Sequence, residues 1–512
     1  MKKYILMLSI LSISNQKGNQ MNSNVQNIQA VILAAGRATR FHTDTTKLAY
    51  PICGQPMILF PIKLLQKLNI PTIVVVGYQK EQIKDIIANE NIAVDFITQE
   101  KQDGTGHAVA CTKHVWNRDH ILVMNGDVPF VTQDIITALY KQHTESNAAI
   151  SFITSSNPDE TAKAYGRVIT TDNTISIIEA KDLQGNINAY NCVNAGIYLI
   201  NTNFLQDYIT MLNTQNASKE FYITDLVKIA SEHNFPVTTI DVPFNTVRGI
   251  NTFQELAIAE HVKQTELINH WMHNGVRFSF PHNVYIDLNV TIGQGSFIGN
   301  GVHVCGDTII GQHCTVKEFS SLNNVILEDN VTIHSHSVLE NAYIKECAKI
   351  GPFARFRNNV TIGEQCIIGN FVEVKNSTID TETKAAHLTY IGDATVGAHV
   401  NIGAGTITCN YDGVNKHETI IKDHAFIGSN NALIAPITIG NNAFTAAGST
   451  ITSDVPDDAL AIARAHQTIK CDYRKKQKQQ PQLLPHQDSH KLDEFLFNGA
   501  RVIHTDNSEE EQ

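Results

Sequence analysis

The stretch Lys349-Ile350-Gly351-Pro352-Phe353-Ala354-Arg355-Phe356-Arg357-Asn358-Asn359-Val360-Thr361-Ile362-Gly363-Glu364-Gln365-Cys366-Ile367-Ile368-Gly369 decides the fold of the C-terminal half. Ile350, Phe356, Ile362 and Ile368 recur every six positions, and Val374 continues the series. Two further runs share that spacing: Ile292, Ile298, Val304, Ile310 and Val316, then Ile421, Ile427, Leu433, Ile439, Thr445 and Ile451, with Thr445 the one polar member. This period fits neither a helix, near 3.6, nor the alternation of a plain strand. A short flat strand plus a turn does fit, with one side chain per repeat aimed at an axis and buried only by stacking on its neighbours. Such repeats mark a β-solenoid. Glycine directly follows many axial residues (Gly293, Gly299, Gly311, Gly351, Gly363, Gly369, Gly428, Gly440), and its backbone freedom is expected to relieve tight corners.

Working outward toward the N-terminus, Gln29 to about Phe253 alternates short apolar runs with amphipathic stretches. Ala30-Val31-Ile32-Leu33 reads as a buried strand, Ile58 to Leu68 as a helix, Thr72 to Val76 as a strand and Gln82 to Ile87 as a helix. Strands follow at Val94–Ile97 and Ile121–Met124. This alternation predicts a doubly wound, Rossmann-like α/β sheet, whose ligands bind beyond the carboxyl ends of the strands. Two glycine-bearing turns fall there, Ala34-Ala35-Gly36 and Asn125-Gly126-Asp127. Thr252 to about Asn274 has the pattern of an amphipathic connecting helix, through Leu256, Ala257, His261, Leu267, Ile268 and Trp271. The expected order is an extension over 1–27, an α/β domain over 28–253, a linker helix over 254–274, a solenoid over 275–472 and a disordered tail over 473–512. The tail is rich in Gln, Lys and Pro, and Leu492–Phe497 is its one candidate for a brief helix or docking motif.

The chain has 512 residues, a formal net charge of −11 and 42% hydrophobic residues. That is a globular composition with room for several domains. The acidic balance argues against a dedicated nucleic-acid binder, yet leaves space for a local basic pocket. Nine cysteines are scattered without a CxxC pair, which fits a reducing, cytoplasmic setting rather than a disulfide framework or a zinc knuckle. Met1-Lys2-Lys3 and the apolar run Tyr4–Ile13 mimic a signal peptide, but no small-residue cleavage site follows and the run is too short to span a bilayer. Met21 is an alternative start, and stable membrane insertion is not expected.

Two constellations carry chemistry. In the first, Leu33-Ala34-Ala35-Gly36-Arg37-Ala38-Thr39-Arg40-Phe41 follows a strand, with Lys47 further on. A small-residue turn lets backbone N–H groups approach phosphates, and Arg40 and Lys47 add charge. It is not a Walker loop, and taken alone it also suits an ordinary tight βα turn. Gly104-Thr105-Gly106-His107-Ala108 forms a second compact loop, and Asp127 places a carboxylate at a strand end, where a magnesium ion bridging phosphates would sit. In the second, Lys384 to Asp393 interrupts the repeat phase, and Asn401 to Gly413 leads into a loop that runs past Lys416. A lone histidine is usually structural. His387 differs because Arg357, Lys375, Tyr390, Asn401 and Lys416 fall on nearby coils, and stacking is expected to bring these together.

The repeat resembles the left-handed parallel β-helix of hexapeptide acyltransferases. The N-terminal half resembles sugar-1-phosphate nucleotidyltransferases. From about Ile28 to Asp472 the chain resembles the bacterial bifunctional N-acetylglucosamine-1-phosphate uridyltransferase / glucosamine-1-phosphate N-acetyltransferase family. That resemblance implies nucleotide-phosphate contacts at Leu33, Ala34, Ala35, Gly36 and Lys47, and uracil contacts at Gln99, Gly104 and Thr105. Asn125, Gly126 and Asp127 follow, with Asp127 and Asn251 implied as Mg2+ ligands. Implied sugar contacts are Gly166, Glu179, Asn194, Tyr222 and Thr224. His387 becomes the general base, and imidazole, with an ordinary pKa of about 6.5, suits that task at neutral pH. Arg357 and Lys375 are implied to hold the sugar phosphate, with Tyr390, Asn401 and Lys416 completing the pocket. Ala404, Asn410, Tyr411, Ser429, Ala447 and Arg464 match the family's coenzyme A contacts. Acetyl-CoA and UTP are the implied co-substrates, UDP-N-acetylglucosamine (a precursor of peptidoglycan and lipopolysaccharide) the implied product, and a homotrimer the implied assembly.

The match is longest at His387-Leu388-Thr389-Tyr390 and Cys409-Asn410-Tyr411-Asp412-Gly413, and poor over the first coils, Arg277 to Ile292. Ala38 stands where the family usually has glycine, Thr46 where proline precedes the lysine, and Asn125 where an aromatic is common. Ala195 replaces a threonine and Arg248 an acidic residue. Two other readings compete: a monofunctional nucleotidyltransferase with a structural or regulatory solenoid, and an assembly or regulatory protein in which both pockets are dead.

Overall fold

The computed structural model describes residues 25, 27–36, 41, 43–156, 158, 160–171, 174–183 and 190–479. Arg40, Ala38, nearly all of the extension and Leu492–Phe497 lie outside the described residues.

Ile28–Ala34 is an almost unbroken apolar run, and such a run is stable as a strand only with both faces covered. It lies at the middle of the N-terminal sheet, parallel to Thr72–Val76 on one side and His120–Asn125 on the other. The main order is Val237–Asp241, Ile150–Ser156, Cys192–Asn201, His120–Asn125, Ile28–Ala34, Thr72–Val76, Asp95–Thr98, with the hairpin Arg167–Thr171/Thr174–Ile178 branching from Cys192–Asn201. Helices Leu59–Lys67, Lys80–Asn89, Gln133–Glu145 and Asp225–Glu232 are among those that cover it. The sheet is mixed rather than wholly parallel, because Cys192–Asn201 runs antiparallel to both neighbours. Its register shifts between Asn194 and Tyr198, a bulge with Ala195 and Gly196 inside it. Leu33 pairs with Asn125, and Gly126 N–H donates to Leu33 O at 3.0 Å, so the two glycine-bearing turns stand side by side at the carboxyl edge.

The connecting helix spans Phe253–His273, capped by the Thr252 hydroxyl, which accepts from Glu255 N–H. Gln264, 9% exposed, points into the joint with the solenoid. Its amide donates to Ile286 O at 2.8 Å and accepts from Ile286 N–H at 3.0 Å, imitating a strand partner. The turn Cys53-Gly54 of the hairpin Pro51–Ile52/Gln55–Pro56 closes the same joint, with Cys53 O accepting from Leu288 N–H at 3.0 Å.

The solenoid is a 26-stranded parallel ladder from Arg277–Phe278 to Leu460–Ala461. Its first coils therefore belong to it although they match poorly in sequence. Ile350 stacks on Ile368, Phe356 on Val374 and Ile362 on Ile379, and all six are 0% exposed. Thr445 also sits on the axis at 0% exposure, where its hydroxyl accepts from Gly428 N–H at 3.2 Å.

Two expectations need correction. Lys384 to Asp393 does not break the solenoid: Lys384–Gly392 is a strand in register with Ile367–Lys375. The phase slips because one corner is a residue short, Val374 being followed on the axis by Ile379 rather than by position 380. The glycines also have another task. Corners in left-handed conformation are taken by bulky residues, Phe353 at φ 56°, Phe371 at φ 57° and Leu388 at φ 40°. A Cβ on Gly369 would lie 1.8 Å from Ala386 O, and one on Gly428 2.5 Å from Ala447 N. These glycines permit coil to pack on coil.

Residues 463–512 form a separate unit whose described part holds a helix, Tyr473–Gln479. A tail without structure was expected there, but Lys, Arg and Gln are good helix formers. All nine cysteines are free thiols, and among the described residues no helix is long and apolar enough to cross a membrane.

Candidate active sites

At the carboxyl edge of the N-terminal sheet, Leu33, Thr105, Asn125, Asp127, Gly166, Glu179, Asn194, Thr224 and Asn251 line one cavity of about 230 Å3. These residues come from distant parts of the chain, and all were expected from sequence. Lys47 reaches its edge: the ammonium is ion-paired with the Asp127 carboxylate and donates to Asn251 Oδ1 at 2.9 Å. Gln99 and Gly104 form a neighbouring unit, with Gln99 Nε2 donating to Gly104 O at 3.1 Å. Gly104 has φ +110°, and a Cβ there would lie 2.5 Å from Phe221 O, so only glycine fits. The loop carrying Tyr222 is tied to it by Gly106 N–H donating to Phe221 O at 2.8 Å. Ala34, Ala35, Gly36 and Gly126 lie at the strand ends without lining the cavity.

Burial pushes the Glu179 carboxyl up, and the hydrogen bond from Thr224 Oγ1 at 3.3 Å opposes that shift. Asn194 donates to Tyr198 Oη at 2.5 Å and accepts from Gly196 N–H at 3.1 Å, which fixes its amide at the bulge. Thr46 has φ −60° and ψ 137°, the backbone that proline imposes, so its departure from the family pattern costs no geometry. Arg248 packs over the Phe244 ring at 4.8 Å and donates to Asn245 Oδ1 at 3.0 Å. Ala195 is buried in the bulge.

Asp127 and Asn251 direct a carboxylate and an amide oxygen at one point, which the Lys47 ammonium already shares. Two hard oxygen donors converging on a positive charge suit magnesium, which takes one or two protein oxygens and fills its shell with phosphate and water.

The solenoid separates the second set of residues into two corners. At one, Arg357 and Lys375 are register partners, and Lys375 and Lys416 line an open polar cavity of about 700 Å3 with Asp393. Asp393 lies 3.5 Å from Lys375 Nζ, bonds the Asn410 amide and accepts from Asn376 at 2.6 Å. Burial works against its charge, but Asn376, Asn410 and Lys375 outweigh it and hold the carboxyl below the ordinary range. The Lys416 amine and then Asp393 raise Lys375, whereas Lys375 holds Lys416 below the ordinary lysine range. Tyr390 Oη accepts from Asn410 at 3.5 Å, which brings Tyr390 to this corner. Asp412 pairs with His417 at 2.7 Å and accepts from Val414 and Asn415 N–H, closing the loop that carries Asn410, Tyr411 and Lys416. These contacts hold the Asp412 carboxyl at about 2.

At the other corner, His387 Nδ1 lies 2.8 Å from Asn370 Oδ1. The amide oxygen only accepts, so Nδ1 carries the proton and Nε2 the lone pair. Above His387, Gly405 N–H donates to Leu388 O, Asn430 N–H to Ala404 O and Gly448 N–H to Ser429 O. Ala404, Ser429 and Ala447 thus climb the corner that holds His387. Asn401 is on the adjoining strand, paired with Lys384. Lys375 pairs with Gly392, five positions beyond His387 and past the corner at Leu388. Stacking within one chain thus puts His387 at one corner and Arg357, Lys375 and Lys416 at the next. Arg464 belongs to the separate C-terminal unit.

Sequence reasoning missed four contributors. Asn370 lies one coil before His387 and is found only from the register. Asp393 was quoted in a motif without a role, and Tyr165 stands next to the motif glycine. Glu255 had a visible signal, Thr252-x-x-Glu255, the spacing of a capping box.

A family profile described as MobA-like NTP transferase domain matches residues 30–175. Bacterial transferase hexapeptide (six repeats) matches 289–324, and GMPPB C-terminal domain matches 338–437. "Bifunctional protein GlmU" of Exiguobacterium sibiricum is 37% identical over 451 residues, 87% of this chain and 99% of that protein. The proteins of that name from Thermosipho melanesiensis and Geotalea uraniireducens are 40% and 39% identical, covering 86% and 89% of this chain and 96% and 100% of their own lengths. The chain belongs to the GlmU family. It is a bifunctional enzyme, with a nucleotidyltransferase domain on the mixed sheet and a hexapeptide-repeat acetyltransferase domain on the solenoid. The GlmU relatives are matched across both halves, which favours this reading over a monofunctional nucleotidyltransferase.

Proposed function

We propose that the solenoid acetylates glucosamine-1-phosphate with acetyl-CoA, and that the N-terminal domain then joins the product to UTP, releasing pyrophosphate and UDP-N-acetylglucosamine. The observation that carries this reading is the presence in one chain of two cationic sites, Lys47 between Asp127 and Asn251, and Lys375 beside Lys416.

In acetyl transfer, the amine nitrogen bonds to the thioester carbonyl carbon and coenzyme A leaves with its sulfur. His387 Nε2 accepts the proton the amine loses, because Asn370 keeps Nδ1 protonated. Lys375, Lys416 and Arg357 hold the phosphate, and Ala404, Ser429 and Ala447 form the coenzyme A track. In uridylyl transfer, a phosphate oxygen of N-acetylglucosamine-1-phosphate bonds to the α-phosphorus as the bond to the β-phosphate breaks. A magnesium ion held by Asp127 and Asn251 neutralises phosphate charge when bound. Lys47 adds a second positive charge, while Asn194, Glu179 and Thr224 orient the sugar and Gln99 and Gly104 the uracil. Positioning and charge supply most of the acceleration in such a transfer. The co-substrates place the reaction in the cytoplasm, and a homotrimer with solenoids side by side gives each His387 corner a neighbouring Lys375 corner.

Purified protein is expected to release coenzyme A with glucosamine-1-phosphate and pyrophosphate with N-acetylglucosamine-1-phosphate and UTP. His387→Ala removes only the first activity and Asp127→Ala only the second. Uridylyl transfer surviving in Asp127→Ala, or acetyl transfer in His387→Ala, overturns the assignment of that site.

A further inference from the structure

Three successive backbone N–H groups lead to the Asn251 side chain, and each is held by a different element. Gly249 N–H donates to Tyr165 Oη at 2.6 Å, and the phenol donates back to Gly249 O at 3.3 Å. Ile250 N–H donates to the backbone carbonyl of Asp127 at 3.1 Å. Asn251 N–H donates to Glu255 Oε2 at 2.6 Å. In an ordinary capping box the acidic side chain returns to the N–H of the cap residue. Here the cap is Thr252, and Glu255 reaches one residue further, to Asn251.

There is little slack along this segment. Gly249 and Ile250 are buried, and a Cβ on Gly249 would lie 3.3 Å from the Tyr165 oxygen and 3.5 Å from Asp127 Oδ1. The segment is tied to the Asp127 main chain in the middle and fixed at one end by Tyr165, which also lines the cavity, and at the other by Glu255.

We propose that Tyr165 and Glu255 are positioning residues for uridylyl transfer, holding the Asn251 amide oxygen against the Asp127 carboxylate so that the two present one seat for a divalent cation. The inference rests on Asp127 and Asn251 as the metal-holding pair. It assigns Glu255 more than helix capping: the connecting helix begins by fixing a ligand of the neighbouring domain. Loss of an outer hydrogen-bond partner of a metal ligand typically costs about 10–100-fold in metal affinity.

The test uses the full-length protein with UTP and reads Mn2+ affinity by electron paramagnetic resonance, alongside the Mg2+ concentration for half-maximal uridylyl transfer. Glu255→Ala and Tyr165→Phe are each expected to weaken Mn2+ binding by about tenfold or more and to raise the Mg2+ requirement in parallel. At saturating Mg2+, kcat returns to within about threefold of the parent. Glu255→Gln, which keeps an acceptor oxygen, stays within about threefold in affinity. Thr252→Ala weakens the helix start but leaves the Asn251 N–H bond, so its affinity stays within about twofold. Unchanged Mn2+ affinity in both Glu255→Ala and Tyr165→Phe, with binding abolished in Asp127→Asn, overturns the positioning role alone. Equal losses in Thr252→Ala and Glu255→Ala overturn it in favour of plain capping. Mn2+ binding that survives in Asp127→Asn overturns the underlying metal assignment and the positioning role with it.

Discussion

Gln264 is the side chain on which the joint between the two catalytic domains closes. It is 9% exposed, and its amide satisfies both backbone groups of Ile286, itself 0% exposed, at 2.8 and 3.0 Å. The same amide nitrogen lies 3.2 Å from Cys53 Sγ, on the hairpin turn of the N-terminal domain. Replacing Gln264 by Ala or Leu leaves a buried N–H and a buried C=O of Ile286 without partners. Each such group costs about 1–3 kcal/mol, so the two together cost about 2–6 kcal/mol. Water entering the alanine cavity recovers part of this, whereas leucine admits none, so Leu is expected to destabilise more than Ala. The assay is denaturant unfolding, with midpoints compared at unchanged slope. Both transfer activities persist at low temperature, because Gln264 touches neither site. A loss below about 0.5 kcal/mol in both variants would show that Ile286 does not depend on the amide and that the joint is held by other contacts.

Asn370→Ala removes the acceptor that fixes the His387 tautomer, so kcat for acetyl transfer falls by about 10–100-fold while uridylyl transfer is unchanged; equal kcat in the variant refutes the orienting role. His143 is 1% exposed, bonded to Ser151 and His120, and burial, with a lesser push from His120, takes its pKa down to about 4. Above about pH 6.5 the imidazole is neutral folded or unfolded; below it the unfolded chain takes up the proton first, so about 3 kcal/mol is lost by pH 4, and His143→Gln flattens that slope in denaturant midpoints. Thr46→Pro keeps the backbone but loses the N–H bond to Gln82 Oε1 at 3.0 Å, so stability stays within about 1 kcal/mol and the UTP KM within about twofold; a tenfold rise in KM would show that this bond sets Lys47. Co-refolding equal amounts of His387→Ala and Lys375→Ala chains restores acetyl transfer to about a quarter of the parent value if neighbouring copies share each site, and to nothing if they do not.

The solenoid was legible because each rung demands a branched side chain on the axis, and that demand appears as a fixed period wherever corners are full length. Its first coil was not, because Phe278 is followed on the axis by Ile286, with the short helix Pro281–Asn283 filling a longer corner. The one-residue slip before Ile379 looked like a break for the same reason: spacing records the length of the corners, while continuity depends on which residues stack. Glycine was read in part: Gly351, at φ +88°, does sit where its backbone freedom is needed, but sequence does not show what lies on the next coil, and Gly369 is required by Ala386 O rather than by its own φ. In the N-terminal half the four adjoining parallel strands were readable as apolar runs, whereas the parallel pair Ile150–Ser156 and Val237–Asp241 was not read. Cys192–Asn201 escaped because its bulge disrupts the pattern. Residues of the N-terminal cavity stand at the ends of readable strands and in compact glycine loops, so motif and topology agreed there. Tyr165 and Glu255 act through backbone N–H groups, which leave no mark on the side-chain pattern.

The division of the solenoid site follows from the same geometry. His387 and Lys375 stand at successive corners, and four residues, beginning with the Leu388 corner, separate His387 from Gly392, the register partner of Lys375. In the proposed trimer the amine would meet His387 of one copy while the phosphate rests on Lys375 and Lys416 of a neighbour. Within each corner the supports are complete: Asn370 sets the imidazole, and Asp393 sets Lys375 and Asn410. Each half is built and held in a single chain, and only their distance keeps them apart. The corner that carries His387 is otherwise lined by Phe319, Phe353 and Phe371, all about half exposed; in the proposed side-by-side trimer that apolar surface would be covered and a neighbouring copy would supply the other half of the site.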